Sequence, residues 1–337
     1  MDFENEMNET PEINLKVRKT NSAMKVAGLF FLLIMILQLP LSFVMMAVYE
    51  VVPQEHQVLA SILMTQGYMF VCVIIYIFAT RQSLKADMLV RKYKISTFFL
   101  SIVLLMVASP MASWLNLLSQ LFAKNEVSTS VYGMLQSIPM WLGILVVGCL
   151  PGVVEELAFR GVIYGAFRKR SVLTGVVVSA LTFGLMHGNF NQIMYAVYLG
   201  VVFAFLVEAT GSLVSTMILH LLFNGVNTSY MYILPKIYEF LGQYSAEYAA
   251  IDFDAMMNAT PSKQEILLSM GVMTPLAIGG LVLAVLLLKV IAKINGRDLS
   301  WKHICGDKGE VKQTRPWNVP LILGCIFCIV VAVGNMF

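Results

Sequence analysis

Charge is what this sequence has least of. Asp, Glu, Lys and Arg make up 13% of the 337 residues and apolar types 58%, whereas an ordinary soluble domain is roughly a quarter charged. That shortage excludes a chain folded mainly against water. Histidine is scarcer still, at four residues, so any histidine inside an apolar stretch needs a physical reason. Of the five cysteines, Cys72, Cys149, Cys325 and Cys328 lie in apolar runs, where a thiol packs as a small hydrophobe, which argues against a disulfide framework. Cys325 and Cys328 form a C-x-x-C with no second ligand pair, so a redox or zinc reading has little support. The N-terminus lacks the basic region of a signal peptide; it carries Asp2, Glu4, Glu6, Glu9 and Glu12 instead, so the first apolar run is expected to be retained. The net charge is only +3, and no basic patch interleaved with aromatics is present. No nucleic-acid partner is expected.

What the sequence does have is long apolar runs. They lie at 25–48, 58–80, 97–123, 138–158, 172–188, 193–209, 212–228, 268–293 and 319–336, most of them near the roughly 20 residues that cross a bilayer as helix. The expected fold is all-α, a polytopic transmembrane bundle of about nine spans whose partner on all sides is membrane lipid. Pro110 in the third run predicts a kink. Lys16, Arg18, Lys19 and Lys25 precede the first run, Arg81 to Lys94 separate the second and third, Arg168 to Arg170 precede the fifth, and Arg297 to Arg315 precede the ninth. Nine spans place all these basic segments on one side, expected to be cytoplasmic, with the C-terminus outside. The domain reading is a polar cytosolic tail at 1–24, N-terminal transmembrane helices at 25–135, a core at 136–228, an outer interfacial segment rich in tyrosine at 229–267, and C-terminal transmembrane helices at 268–337.

Ionisable groups within a bilayer cost a few kcal/mol each, so they need a partner, a wet cavity or a function. Here they cluster in the core. The fourth run leads into Glu155, Glu156 and Arg160, the fifth ends at Phe183 and His187, and the seventh carries His220 and Asn224. Counted from the basic turn at Arg170, Glu155 lies 15 residues back and His187 17 residues on, which at helical rise puts both about 20–25 Å from that turn. Asn224 lies 13 residues beyond Gly211, about 20 Å in, with His220 one turn nearer the basic side. The four groups are expected at a common level. Adjacent Glu155 and Glu156 point about 100° apart, so one alone projects fully into a shared pocket. Arg160, i+4 from Glu156, is expected to form a structural ion pair with it, giving both a supporting role. Glu208 reads as an interfacial charge. Separately, each feature has a structural reading: an ion-paired helix, a satisfied histidine at a helix end, interhelical hydrogen bonds.

The ordered set E-E-x-x-x-R at Glu155 to Arg160, F-x-x-x-H at Phe183 to His187 and H-x-x-x-N at His220 to Asn224 resembles the motifs of the CPBP intramembrane peptidase family. That family includes type II CAAX prenyl endopeptidases and bacterial Abi proteins linked to bacteriocin processing and self-immunity. The resemblance covers roughly 138–228 and leaves the first three and last two runs unmatched. It implies a four-helix catalytic core and an intramembrane endopeptidase acting on a membrane-associated or lipidated peptide or protein, in a bacterial cell membrane. Glu155 would be the general base, His187 would orient the water, and His220 with Asn224 would resemble the family's oxyanion pair. The name metalloprotease attached to the family implies zinc on Glu155, His187 and His220, since one carboxylate and two histidines leave a position for water; a metal-free glutamate mechanism uses the same groups. Both routes stay open, as do two other functions. One is a non-catalytic scaffold or immunity factor of the same fold. The other is a proton-coupled transporter, which would require paired half-sequences that this chain lacks.

Overall fold

The computed structural model describes residues 11–306 and 314–335, and among these every regular element is a helix. Helix α1 (Pro11–Ile36) continues after a break at Leu37 into α2 (Gln38–Tyr49), followed by α3 (Gln54–Thr80), α4 (Ile95–Gln120) and the short α5 (Glu126–Gln136). A long helix, α6 (Met140–Phe167), then leads to α7 (Val172–Met186), α8 (Phe190–Thr210) and α9 (Leu213–Gly242). Two short helices, α10 (Ala246–Ala249) and α11 (Phe253–Asn258), precede α12 (Lys263–Ile294), α13 (Trp301–Cys305) and α14 (Val319–Gly334).

All nine apolar runs are helical. Among the described residues six helices are long and apolar enough to cross a membrane; α7 and α14 are apolar but shorter, and α9 is diluted by polar residues. The chain is a multi-pass membrane protein. Several boundaries differ from the sequence reading. Helix starts at Pro11, within the polar tail expected at 1–24, while 1–10 lies outside the described residues. Helix α4 contains Pro110, and α9 continues to Gly242, past the apolar run that ends at 228. The last helix is described from Val319 to Gly334, and 336, the expected end of that run, lies outside the described residues.

Burial sorts the helices into centre and rim. The most apolar windows of α6 and α8 are 61% and 56% buried, whereas no other membrane-length helix exceeds 33%. Helices α6 to α9 form the centre. On one flank α1 pairs with α14, α1 packing against α6 and α14 against α7; on the other, α4 pairs with α12 and both pack on α8. Apolar side chains such as Phe43, Phe78, Ile95 and Val272 are left exposed around the rim, where lipid tails are an adequate solvent.

Glycine sets the closest approach at the centre. Gly148 and Gly152, four apart, share a face of α6. A Cβ on Gly152 would lie 3.0 Å from the Leu221 backbone nitrogen, and one on Gly148 3.3 Å from the Gly225 Cα. Helices α6 and α9 therefore meet backbone to backbone, one turn from the motif residues.

The basic segments gather at one end of the bundle. The Leu213 amide donates to the Leu89 carbonyl, Lys94 reaches the Ile294 carbonyl, and the Arg170 side chain donates to the Thr314 carbonyl. Glu208 corrects the sequence reading: it is 1% exposed, not interfacial. It accepts from the Tyr164 hydroxyl (2.6 Å), Arg168 Nη2 (2.7 Å) and Arg297 Nη2 (3.0 Å), and lies 3.1 Å from His303 Nε2. One carboxylate thus ties α8 to α6, to the turn after it, and to the segment after α12. At the opposite end Tyr132 donates to Asp254 (2.6 Å), and Asn335 donates to the Gly188 carbonyl (2.8 Å).

Candidate active site

The α6 backbone is irregular on both sides of the glutamates. Wider π-type winding covers Ile144–Cys149 and Leu157–Tyr164, with ordinary α-helix over Leu150–Glu156 between. Such segments relax the i→i−4 ladder and are frequent at functional sites. Here the first of them contains the Val147 carbonyl that accepts from Asn224 Nδ2 (3.2 Å). Helix α7 ends at His187, and Gly188 takes the left-handed conformation (φ 62°) that reverses the chain without a Cβ clash. Asn189 then caps α8 by accepting from the Gln192 amide (2.9 Å). His187 and Gln192 are thereby fixed at the two corners of one tight turn.

These elements enclose a cavity of about 230 Å³ lined by Glu155, His187, His220 and Asn224, together with Gln66, Gln192 and Tyr195. Glu155 faces the cavity. Its Oε1 accepts from Gln66 Nε2 (2.8 Å), and its Oε2 lies 3.8 Å from His220 Nε2. Glu156 turns the other way and is fully buried. Its Oε1 meets Arg160 Nη1 at 2.9 Å and His220 Nδ1 at 3.0 Å. Arg160 keeps Nε and Nη2 without a hydrogen-bond partner; its guanidinium instead lies 4.1 Å from the Phe183 ring centroid and 5.4 Å from that of Phe203. Stacking on two ring faces is a way to hold a weakly hydrated cation in an apolar bundle.

An ionised carboxylate only accepts, so Glu156 places the hydrogen of His220 on Nδ1 and directs Nε2 toward Glu155 and the cavity. The Phe183 carbonyl, 2.9 Å from His187 Nδ1, does the same for that ring, leaving its Nε2 as the free nitrogen. Asn224 spends one N–H on Val147 and keeps the second. The site therefore offers a carboxylate, two aimed imidazoles and an amide around a space large enough for a peptide group and a water.

Gln66, Gln192, Tyr195 and the stacking role of Phe183 were not found by reading motifs. Gln66 did leave a signal, being an amide in the middle of the second apolar run and only 7% exposed. The zinc set fits less well. Among the described residues no group of three His, Cys, Asp or Glu side chains is placed to hold a metal ion, although the Nδ1 contact of His220 with Glu156 leaves its Nε2 open as a ligating histidine requires.

The fold and site define a multi-pass helical membrane protein with a Glu–His–His–Asn constellation between its central helices. Residues 137–226 match the model of the family described as type II CAAX prenyl endopeptidase Rce1-like. All four cavity groups and the Glu156–Arg160 pair fall inside that segment. A relative from Bacillus subtilis (strain 168), named "Putative membrane peptidase YdiL", is 26% identical over 102 residues, which cover 30% of this chain and 41% of that protein. No solved structure matches.

Proposed function

We propose that the protein is an intramembrane endopeptidase that hydrolyses a peptide bond in a membrane-associated or lipidated peptide or protein. The observation that carries this reading is the single cavity lined at once by Glu155, His187, His220 and Asn224, supplied by three separate stretches of chain whose motifs match a peptidase family.

Glu155 is the general base. It takes a proton from a water held between its carboxylate and His187 Nε2, and the resulting hydroxide forms a C–O bond with the scissile carbonyl carbon. Negative charge moves to the carbonyl oxygen, which Asn224 Nδ2 and His220 Nε2 receive. Because Nδ1 of His220 already carries a hydrogen toward Glu156, Nε2 donates only as imidazolium. The carboxylates of Glu155 and Glu156, 3.8 Å and 3.0 Å away, stand as its counterions. The oxyanion re-forms the carbonyl as the C–N bond breaks and Glu155 passes its proton to the leaving nitrogen, giving a carboxylic acid and an amine. Gln66 holds the Glu155 carboxylate in place, and the Arg160–Glu156 pair holds His220.

The test is cleavage of a peptide library by the purified protein, with Glu155→Gln as control. Glu155→Gln keeps size and hydrogen bonding but removes the base, so turnover falls by about 10²–10⁴-fold at unchanged thermal stability. Equal cleavage by both forms would remove Glu155 from the chemistry and leave a scaffold of the same fold. A chelator arm addresses the zinc route. The donor geometry predicts unchanged cleavage in EDTA and no stoichiometric zinc; zinc lost on His187→Ala together with activity would reverse that.

The orientation supported by the basic end is N-terminus cytoplasmic and C-terminus outside.

A further inference from the structure

The catalytic cavity adjoins a larger one. A second space of about 620 Å³ shares Val147, Gln192, Tyr195, Phe223 and Asn224 with it and extends toward the end of the bundle opposite the basic loops, between α4, α5, α9 and α11. None of its lining residues is Asp, Glu, Lys, Arg or His. Its polar groups are mostly neutral amides, among them Asn116, Asn191, Asn224 and Asn227. Asn191 and Asn116 are held by each other and by Ser119 (3.0–3.2 Å), whereas Asn227 is exposed and bonds only within its own helix, to the Phe223 carbonyl (2.8 Å).

We propose that this space is the substrate vestibule, and that it takes an extended peptide segment free of charged side chains, entering from the end opposite the basic loops. The proposal rests on the hydrolase reading of the Glu155 site. Amides both donate and accept, as an extended peptide backbone requires along its whole length. A lysine or aspartate side chain brought into this space would lose hydration and find no counterion. Partly exposed Met231, Met257 and Met273 add adaptable apolar walls of the kind that accept varied side chains. Much of this wall, including Asn116, Ser128, Phe253, Met257 and Met273, lies outside the family-matched 137–226 segment. Chemistry and recognition are thus divided, with the reaction in the matched core and the choice of peptide in segments outside it.

The test uses the full chain in detergent with neutral peptides of Ala, Leu, Ser, Gln and Phe, each paired with a version carrying Lys or Asp two residues from the cleaved bond. Wild type is expected to cleave the neutral peptides at least about ten-fold faster. Asn227→Lys is expected to shift the charged pair toward the Asp peptide by a similar factor, since it adds the missing counterion. Binding is read separately. Asn227→Cys on a background freed of the five native cysteines, with Glu155→Gln to prevent turnover, should react with a maleimide, and excess neutral peptide should slow that reaction where charged peptide does not. Cleavage without charge preference, or with no protection of Cys at this position, overturns the vestibule and leaves the hydrolase reading standing. Protection without any cleavage by wild type overturns the hydrolase reading and keeps a peptide site; neither protection nor cleavage overturns both.

Discussion

At the scale of single residues, two buried carboxylates show how surroundings decide the value of an ion pair. Glu156 has no exposed surface and depends on Arg160 and His220. Removing the arginine leaves a carboxylate in the bundle with no route to water, so Arg160→Met is expected to cost about 3–5 kcal/mol and to lower activity, because His220 loses its fixed partner. Glu208 is equally buried, but its partners sit at the basic end: the side chains of Arg168, Arg297 and His303 are 24%, 35% and 36% exposed. Freed of the carboxylate they reach water. Glu208→Gln should cost less, about 1.5–3 kcal/mol, with hydrolysis largely kept. Thermal unfolding of the two variants in the same detergent checks the ranking; equal losses would show that exposure of the partners is not what sets the cost.

At the scale of elements, the contact between α6 and α9 decides whether the site exists. The Gly148 and Gly152 face lets the two backbones touch, which puts His220 between Glu155 and Glu156. A side chain at Gly152 meets backbone that cannot rotate away, so the helices must part. Gly152→Val is expected to leave helical content unchanged while reducing cleavage at least about 100-fold, since a shift near 1 Å at a catalytic constellation costs that much. Circular dichroism with a cleavage assay reads both quantities, and full activity would mean that the helices tolerate separation. The π segments act on the same contact, since the Val147 carbonyl that holds Asn224 belongs to one of them.

For the whole molecule, sidedness follows from where the lysines and arginines collect. Segments far apart in sequence, at 85–94, 168, 208–213 and 294–303, bond to one another at one end. The opposite end holds the vestibule. With the basic end cytoplasmic, a reporter fused after Phe337, a residue outside the described part of the structure, is expected to signal from the outer side. A cytoplasmic signal would require one of the nine helices not to cross.

The sequence by itself determined the solvent, the helices and the chemical inventory. A chain so poor in charge has to satisfy its backbone internally, and period and length then leave helices as the outcome. Motif spacing also singled out Glu155, His187, His220 and Asn224, which line one cavity in the structure, because depth along a helix is a one-dimensional quantity that counting estimates. Rotation about the helix axis and contact between helices are not one-dimensional, and these only the tertiary structure decided. It turned Glu208 from an interfacial charge into a buried junction, gave Gln66 to Glu155 from a helix outside the motifs, and committed Nδ1 of His220 to Glu156. The vestibule belongs to the same category, since its walls come from segments that become neighbours only when the bundle closes.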